Sequence, residues 1–219
     1  GIGGPAFIRG RVRPGIVHLG LGGFHRAHMA RYTDDVIERS NDGTRWGIVG
    51  AGLSPSDGPL IAALTEQDCL YTLVERDETR ARTRIIGSLV RVLHASHDTL
   101  QVLDAIDQPR TAIVRLTVHK AGYCIDNGSR RLDVSHPQIA HDLADPRHPH
   151  SAVGVLTAAL ARRRAADRPP FAALSCDNIQ HNGTVLRNAV LDLAMRQDPA
   201  LAEWIEQNGA FPSTMVDRI

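Results

Sequence analysis

The stretch that most constrains this chain runs from Gly15 to His28, Gly-Ile-Val-His-Leu-Gly-Leu-Gly-Gly-Phe-His-Arg-Ala-His. Ile16 to Leu19 read as a short buried strand, broken by Gly20, Gly22 and Gly23 just before an amphipathic segment that begins at Phe24. Between Phe24 and Ser40 the apolar residues Ala27, Ala30, Tyr32, Val36 and Ile37 fit one face of a helix. A strand, a glycine turn and a helix in this order predict a diphosphate site, because glycines let a phosphate approach the backbone and a helix N-terminus offers N–H groups and a favourable dipole. A dinucleotide fingerprint also asks for a small residue at the position that His25 occupies, so a plain tight turn is the competing reading.

Asn41-Asp42-Gly43 ends the helix, and Trp46 to Gly52 reads as a second buried strand, completing a βαβ unit of about forty residues. The loop beyond it, Leu53 to Pro59, carries Asp57. A carboxylate there can accept hydrogen bonds from adenosine ribose hydroxyls and repel a 2′-phosphate; it can equally serve as the N-cap of a helix from Pro59 to Thr65. Cys69–Glu75 and Arg84–Leu93, either side of a charged turn, read as a hairpin inserted in the nucleotide fold. A helix from about His97 to Ile106 leads to a core strand, Thr111 to Val118, whose C-terminal end should reach the ligand crevice. Further on come a short helical piece from Ile139 to Leu143, a helix from Ser151 to Ala166, a strand from Phe171 to Cys176, and helices near 183–196 and 198–208. Arg162-Arg163-Arg164 reads as a solvated helix end favoured by the helix dipole.

With 219 residues, 42% of them apolar, the chain can build one sizeable core, and a net charge of +1 leaves no global field for a nucleic acid or an anionic membrane. No apolar run approaches a membrane span and no signal-peptide pattern opens the sequence, so a cytoplasmic protein is expected. Cys69, Cys124 and Cys176 are too scattered for a disulfide framework or a zinc site and should be reduced core thiols. His25 and His28 could share a metal geometrically, but no Cys/His cluster supplies further ligands, and no metal is expected. Lys120 is the only lysine, so a step needing a lysine base has one candidate here.

Four stretches together resemble the mannitol 2-dehydrogenase family of long-chain, metal-independent polyol and hexuronate dehydrogenases: Gly20 to His28; Trp46 to Leu53 with Asp57; Ser175-Cys176-Asp177-Asn178 with His181-Asn182-Gly183; and Phe211 to Ile219. The resemblance implies a Rossmann-type α/β domain with a mostly parallel sheet over residues 1–219, truncated at its C-terminal end and lacking the family's helical C-terminal domain. Such a truncation predicts exposed apolar surface on the later helices. It also implies NAD as cofactor and a polyol or hexuronate as substrate, with no nucleic-acid or membrane partner.

Carried over by the resemblance, Gly20, Leu21, Gly22 and Gly23 match the turn beside the diphosphate, with Phe24 and Arg26 next to it. Asp57 matches the acidic position for adenosine ribose, Thr117 the strand end on the nicotinamide side, and Val216 with Asp217 the segment that closes over the cofactor. Asn178 matches the family asparagine that donates to the substrate oxygen, although an asparagine at a strand-to-helix junction can also be a cap. The family's general base is a lysine from the later part of the chain, so this domain alone should be inactive. Two departures stand out. The family's Thr-Glu-Gly-Gly-Tyr is here His119-Lys120-Ala121-Gly122-Tyr123, which reverses a charge beside the site, and Ser56 stands where NAD-preferring members often carry a second acid. The expected function is hydride transfer between a secondary alcohol and NAD; the alternative is a non-catalytic nucleotide-binding module.

Overall fold

A computed structural model describes residues 4–126, 128 and 131–215. Its centre is a five-stranded sheet made of β1 (Pro14–Leu19), β2 (Gly47–Gly52), β5 (Leu89–His94), β6 (Ile113–Leu116) and β7 (Ala172–Ser175). The spatial order is β5-β2-β1-β6-β7 and every neighbouring pair is parallel. β1 and β2 are short runs of β-branched and small apolar residues with almost no exposed position, as strands covered on both faces must be. The order reverses between β1 and β6, and that switch point is where an open α/β sheet leaves a ligand crevice.

One face carries the larger core. Val17, Leu19, Val49, Ala51, Val114 and Leu116 meet apolar residues from α3 (Thr99–Asp107), α5 (Ala152–Ala165), α6 (Asn182–Gln197) and α7 (Pro199–Asn208), with Ile139 of α4 (Pro137–Ala144). The other face is smaller: Ile16, Ile48 and Leu89 pack against Ala30 of α1 (Ala30–Arg39), Leu64 of α2 (Gly58–Glu66), Cys69 and Ile86. The three cysteines are free and buried.

Two expectations need correction. The run Arg84–Leu93 is not one arm of a hairpin. The hairpin is β3 (Tyr71–Arg76) with β4 (Ala81–Ile86), and the chain then breaks at Gly87-Ser88 so that β5 joins the main sheet. The break is held by Asp34 of α1, whose buried carboxylate accepts the N–H groups of Gly87 (2.8 Å) and Ser88 (3.0 Å) and pairs with Arg84 (3.0 Å). Nor is the arginine triplet uniformly solvated. Arg162 and Arg164 form surface pairs with Asp104 and Asp198, but Arg163 is only 2% exposed. Its guanidinium donates to the carbonyls of Ile106, Gln108 and Thr111 at 2.7–2.8 Å and of Pro169 at 3.2 Å, satisfying the end of α3 from inside.

Candidate functional site

The glycine turn leaves β1 at the switch point. Gly20 has φ +102°, and a Cβ on it would lie 2.3 Å from the Thr117 carbonyl oxygen at the end of β6, so only glycine lets these two segments touch. Leu21 turns inward and its side chain is buried over Gly50 of β2, leaving its backbone alone for a ligand. Gly22 and Gly23 differ: a Cβ on either would meet no atom within 4 Å, so open space lies directly before the helix. That helix begins with a π-turn, His25–Met29, before settling into α1. The wider turn accommodates His25, which is buried and stacks on His18 of β1 with centroids 3.8 Å apart. The histidine at the fingerprint's small-residue position is therefore tucked beneath the turn rather than blocking it. His28 lies on the outside against Phe24 (4.8 Å), so the two histidines do not converge on a common point. Among the described residues no group of three or more metal-ligating side chains comes together.

A crevice of about 230 Å³ opens above the turn, lined by Gly22, Gly23, Phe24, Thr117, His119, Cys176, Asp177 and Asn178. Thr117 holds His18 Nε2 at 2.9 Å through its hydroxyl. Arg26 does not line this space; its carbonyl accepts the Tyr71 hydroxyl at 2.7 Å. Burial pushes the Cys176 thiol up to about 11, which keeps it protonated and unreactive near neutrality.

The wall formed by the ends of β6 and β7 is held by residues that the sequence reading did not assign. Asp177 accepts the N–H groups of Val118 (3.1 Å) and His119 (2.9 Å) and the Tyr123 hydroxyl (2.7 Å). These bonds fix His119 at φ 57°, ψ 168°, a conformation rarely open to a side-chain-bearing residue. Asn182 is buried and donates to the carbonyls of Asp177 and Thr214, both at 3.0 Å, while its own oxygen accepts the Thr214 N–H at 2.9 Å. Asn178 is exposed on the rim between these two anchors. The N-cap position of α6 belongs to His181, so Asn178 is not that helix's cap. Motif membership was the sequence cue to all three: Asp177 in the Ser-Cys-Asp-Asn run, Asn182 in His181-Asn182-Gly183, and Tyr123 at the end of His119-Lys120-Ala121-Gly122-Tyr123.

Beyond β2, Asp57 closes a short 3-10 turn, Pro55–Asp57, and its Oδ2 accepts the Ser54 N–H at 3.0 Å while the Ser54 hydroxyl accepts the Ser56 N–H. Asp57 thus caps backwards onto Ser54 and makes no side-chain cap to α2. A second pocket of about 400 Å³ lies beside this turn, lined by Leu53 and Pro55 and by the Ala95–Leu100 and His148–His150 segments, but not by Asp57 itself. Val216 and Asp217 lie outside the described residues.

The strand order, the glycine turn at its switch point and the crevice above it define a Rossmann-type domain. The chain belongs to the mannitol dehydrogenase Rossmann-domain family, whose family model matches residues 14–219. It is similar to mannitol 2-dehydrogenase of Phaeosphaeria nodorum, with 45% identity over 98% of this chain and 38% of that protein. D-mannonate oxidoreductase of Escherichia coli is 45% identical over 98% of this chain and 44% of its own length. Among solved structures, Pseudomonas fluorescens mannitol 2-dehydrogenase in a ternary complex with NAD and D-mannitol superposes with a TM-score of 0.93 at 42% identity, over 98% of this chain and 44% of that one. A substrate-free D-sorbitol dehydrogenase gives the same TM-score at 37% identity, over 99% and 45%. The chain therefore spans less than half the length of these relatives. No helix among the described residues is long and apolar enough to cross a membrane.

Proposed function

We propose that this chain is the cofactor-binding half of an NAD-dependent dehydrogenase acting on a polyol or a sugar acid. The observation that carries the reading is the open space over Gly22 and Gly23, in front of a helix N-terminus at the switch point of a parallel sheet. A diphosphate fits there: backbone N–H groups at the start of a helix have no intrahelical acceptor, and the dipole favours negative charge. Asp57 then faces the adenosine ribose from the end of β2, with Thr117 and Asn178 on the nicotinamide side. The relatives' names, mannitol 2-dehydrogenase and D-mannonate oxidoreductase, support a polyol or sugar acid as the substrate class.

When bound, the nicotinamide ring supplies the acceptor for the hydride of a secondary alcohol. The chain's own residues bind, orient and polarise. Asn178, a neutral amide on the crevice rim, donates to the substrate oxygen and stabilises negative charge there without changing the proton count. No lysine in this chain is set against that oxygen in a buried site, since Lys120 is exposed, so the general base comes from elsewhere in the complete enzyme.

Calorimetric titration tests the reading. The chain should bind NAD, and Gly22→Val should abolish binding while leaving the melting temperature unchanged, because the valine fills empty space rather than displacing atoms. An unaltered NAD affinity in a folded Gly22→Val variant would sink the assignment of the diphosphate to this turn.

A further inference from the structure

On the sheet face that carries α1, that helix reaches β6 where Arg115 meets Thr33, and a groove lies open beside this contact. The helices α3, α5, α6 and α7 all contribute to the core on the opposite face. The groove, of about 320 Å³, has Tyr32 and Val36 of α1 and Trp46 on its walls, and Ile113, Leu174 and Arg115 on its floor. Tyr32 is 62% exposed and Val36 41%, both large apolar positions on one wall. The later helices, where exposed apolar surface was expected, show only Met195 of α6 among their large apolar residues.

Arg115 is the unusual member. Its side chain is 7% exposed, it donates to the Thr33 hydroxyl at 3.3 Å, and no carboxylate lies within 4 Å of it among the described residues. Its neighbours across the strands are His18 and Leu174, neither of them anionic. A guanidinium removed from water with a single hydroxyl partner is costly, and a carboxylate arriving from outside would offset that cost.

We propose that this groove seats an amphipathic helix supplied by the polypeptide beyond the matched domain, with an aspartate or glutamate of that helix reaching Arg115. The inference rests on the reading of the chain as the cofactor half of a longer dehydrogenase. Three observations select this occupant. The walls are apolar, the floor holds a buried cation without a counter-charge, and the relatives continue for more than half of their length outside the shared region. Thr214, at the end of the described chain, lies against β7, the strand whose Leu174 forms part of the floor.

Thiol labelling tests it: the three cysteines of this chain are buried, and modification is read at the introduced position by peptide mapping. In the full-length polypeptide, maleimide should modify the Val36→Cys variant at least tenfold more slowly than a free thiol, at a rate independent of protein concentration. Adding Arg115→Gln should restore fast labelling, with thermal unfolding checking that the double variant is folded. Tyr32→Cys offers a second reporter on the same wall that does not depend on altering Arg115. Free-thiol rates at both positions overturn the proposal, and so does protection that grows with concentration, which assigns the groove to a second copy. Protection that survives Arg115→Gln removes the carboxylate from the proposal and overturns it in the form stated. NAD titration of the same samples separates the two readings: normal affinity with accessible thiols strikes this proposal alone, and lost affinity with protected thiols strikes the cofactor reading.

Discussion

His18 and His25 stack beneath the glycine turn with ring centroids 3.8 Å apart, and neither nitrogen of His25 has a hydrogen-bond partner. Burial, reinforced by the nearby positive charge of Arg115, holds the pKa of His25 down to about 3 and lowers that of His18 as well. Both rings are therefore neutral in the folded protein across the range in which an unfolded histidine, with a pKa of about 6.5, takes up a proton. The unfolded state binds more protons below that value, so stability is fully present above about pH 6.5 and falls as the pH drops towards 3. His25 should cost about 2 kcal/mol between pH 8 and pH 5, and His18 adds a loss in the same direction. Urea unfolding at the two pH values should show that loss in the native chain and a smaller one in His25→Phe, which keeps a ring on His18 without a titrating group. Equal pH dependence in the two proteins would falsify this role for His25.

Arg163 gives a second prediction. Four backbone carbonyls converge on its guanidinium, and charge-assisted hydrogen bonds of this kind are each worth about 1.5–3 kcal/mol when buried. Arg163→Met should lower stability by roughly 3 kcal/mol or more, and Arg163→Lys should recover little, because an ammonium cannot reach separated carbonyls with a fixed fork. Denaturation of Arg162→Met should move the midpoint far less, since its partner Asp104 is at the surface.

The contrast within that triplet shows what the sequence could and could not convey. β1, β2, β6 and β7 were readable because strands covered on both faces are short apolar runs bounded by turn residues, and the glycine turn marks the position of the crevice in the sequence itself. The split between β4 and β5 was not readable: Gly87-Ser88 interrupts the β pattern only weakly, and the break is enforced by Asp34, far away in sequence. Three consecutive arginines look solvated, while the carbonyls that meet the middle one come from α3, the loop after it and Pro169 beyond α5. At the site, the glycine turn was legible from motif, and Asn178, matched by motif, lies on the crevice rim. Asp177 and Asn182 brace the segments on either side of it through backbone groups, and such bonds leave no periodic trace in a sequence.

Asp57 holds the Ser54 N–H and, on the proposed cofactor reading, also faces the adenosine ribose; the two roles should separate experimentally. Asp57→Ala removes the bond from the Ser54 N–H, so stability should fall by about 0.5–2 kcal/mol, as for the loss of a helix cap. It should also weaken NAD while affecting NADP less, because the carboxylate that favours ribose hydroxyls and repels a 2′-phosphate is gone. Calorimetry with both cofactors on native and variant protein reads the second effect. An unchanged ratio of the two affinities would leave Asp57 with the capping role alone.

The two asparagines that follow β7 provide the sharpest separation of chemistry from architecture. Asn178 is exposed on the crevice rim and does not hold the N-cap position of α6. Asn182 is buried and ties the loop to Asp177 and Thr214. Asn178→Ala should therefore leave the unfolding midpoint almost unmoved, within about 0.5 kcal/mol, as is usual for an exposed side chain without structural partners. In the complete dehydrogenase the same change should cut kcat by about 10²–10³, the typical consequence of losing one donor to a developing oxyanion. Asn182→Ala should behave oppositely at the level of the fold, costing about 3 kcal/mol because it strands several buried polar groups. Whatever activity Asn182→Ala loses should be partly restored at low temperature, where more of the population is folded, whereas the Asn178→Ala deficit should persist. Unfolding curves and turnover measured on the same two variants decide it: an Asn178→Ala enzyme with native kcat removes the asparagine from catalysis.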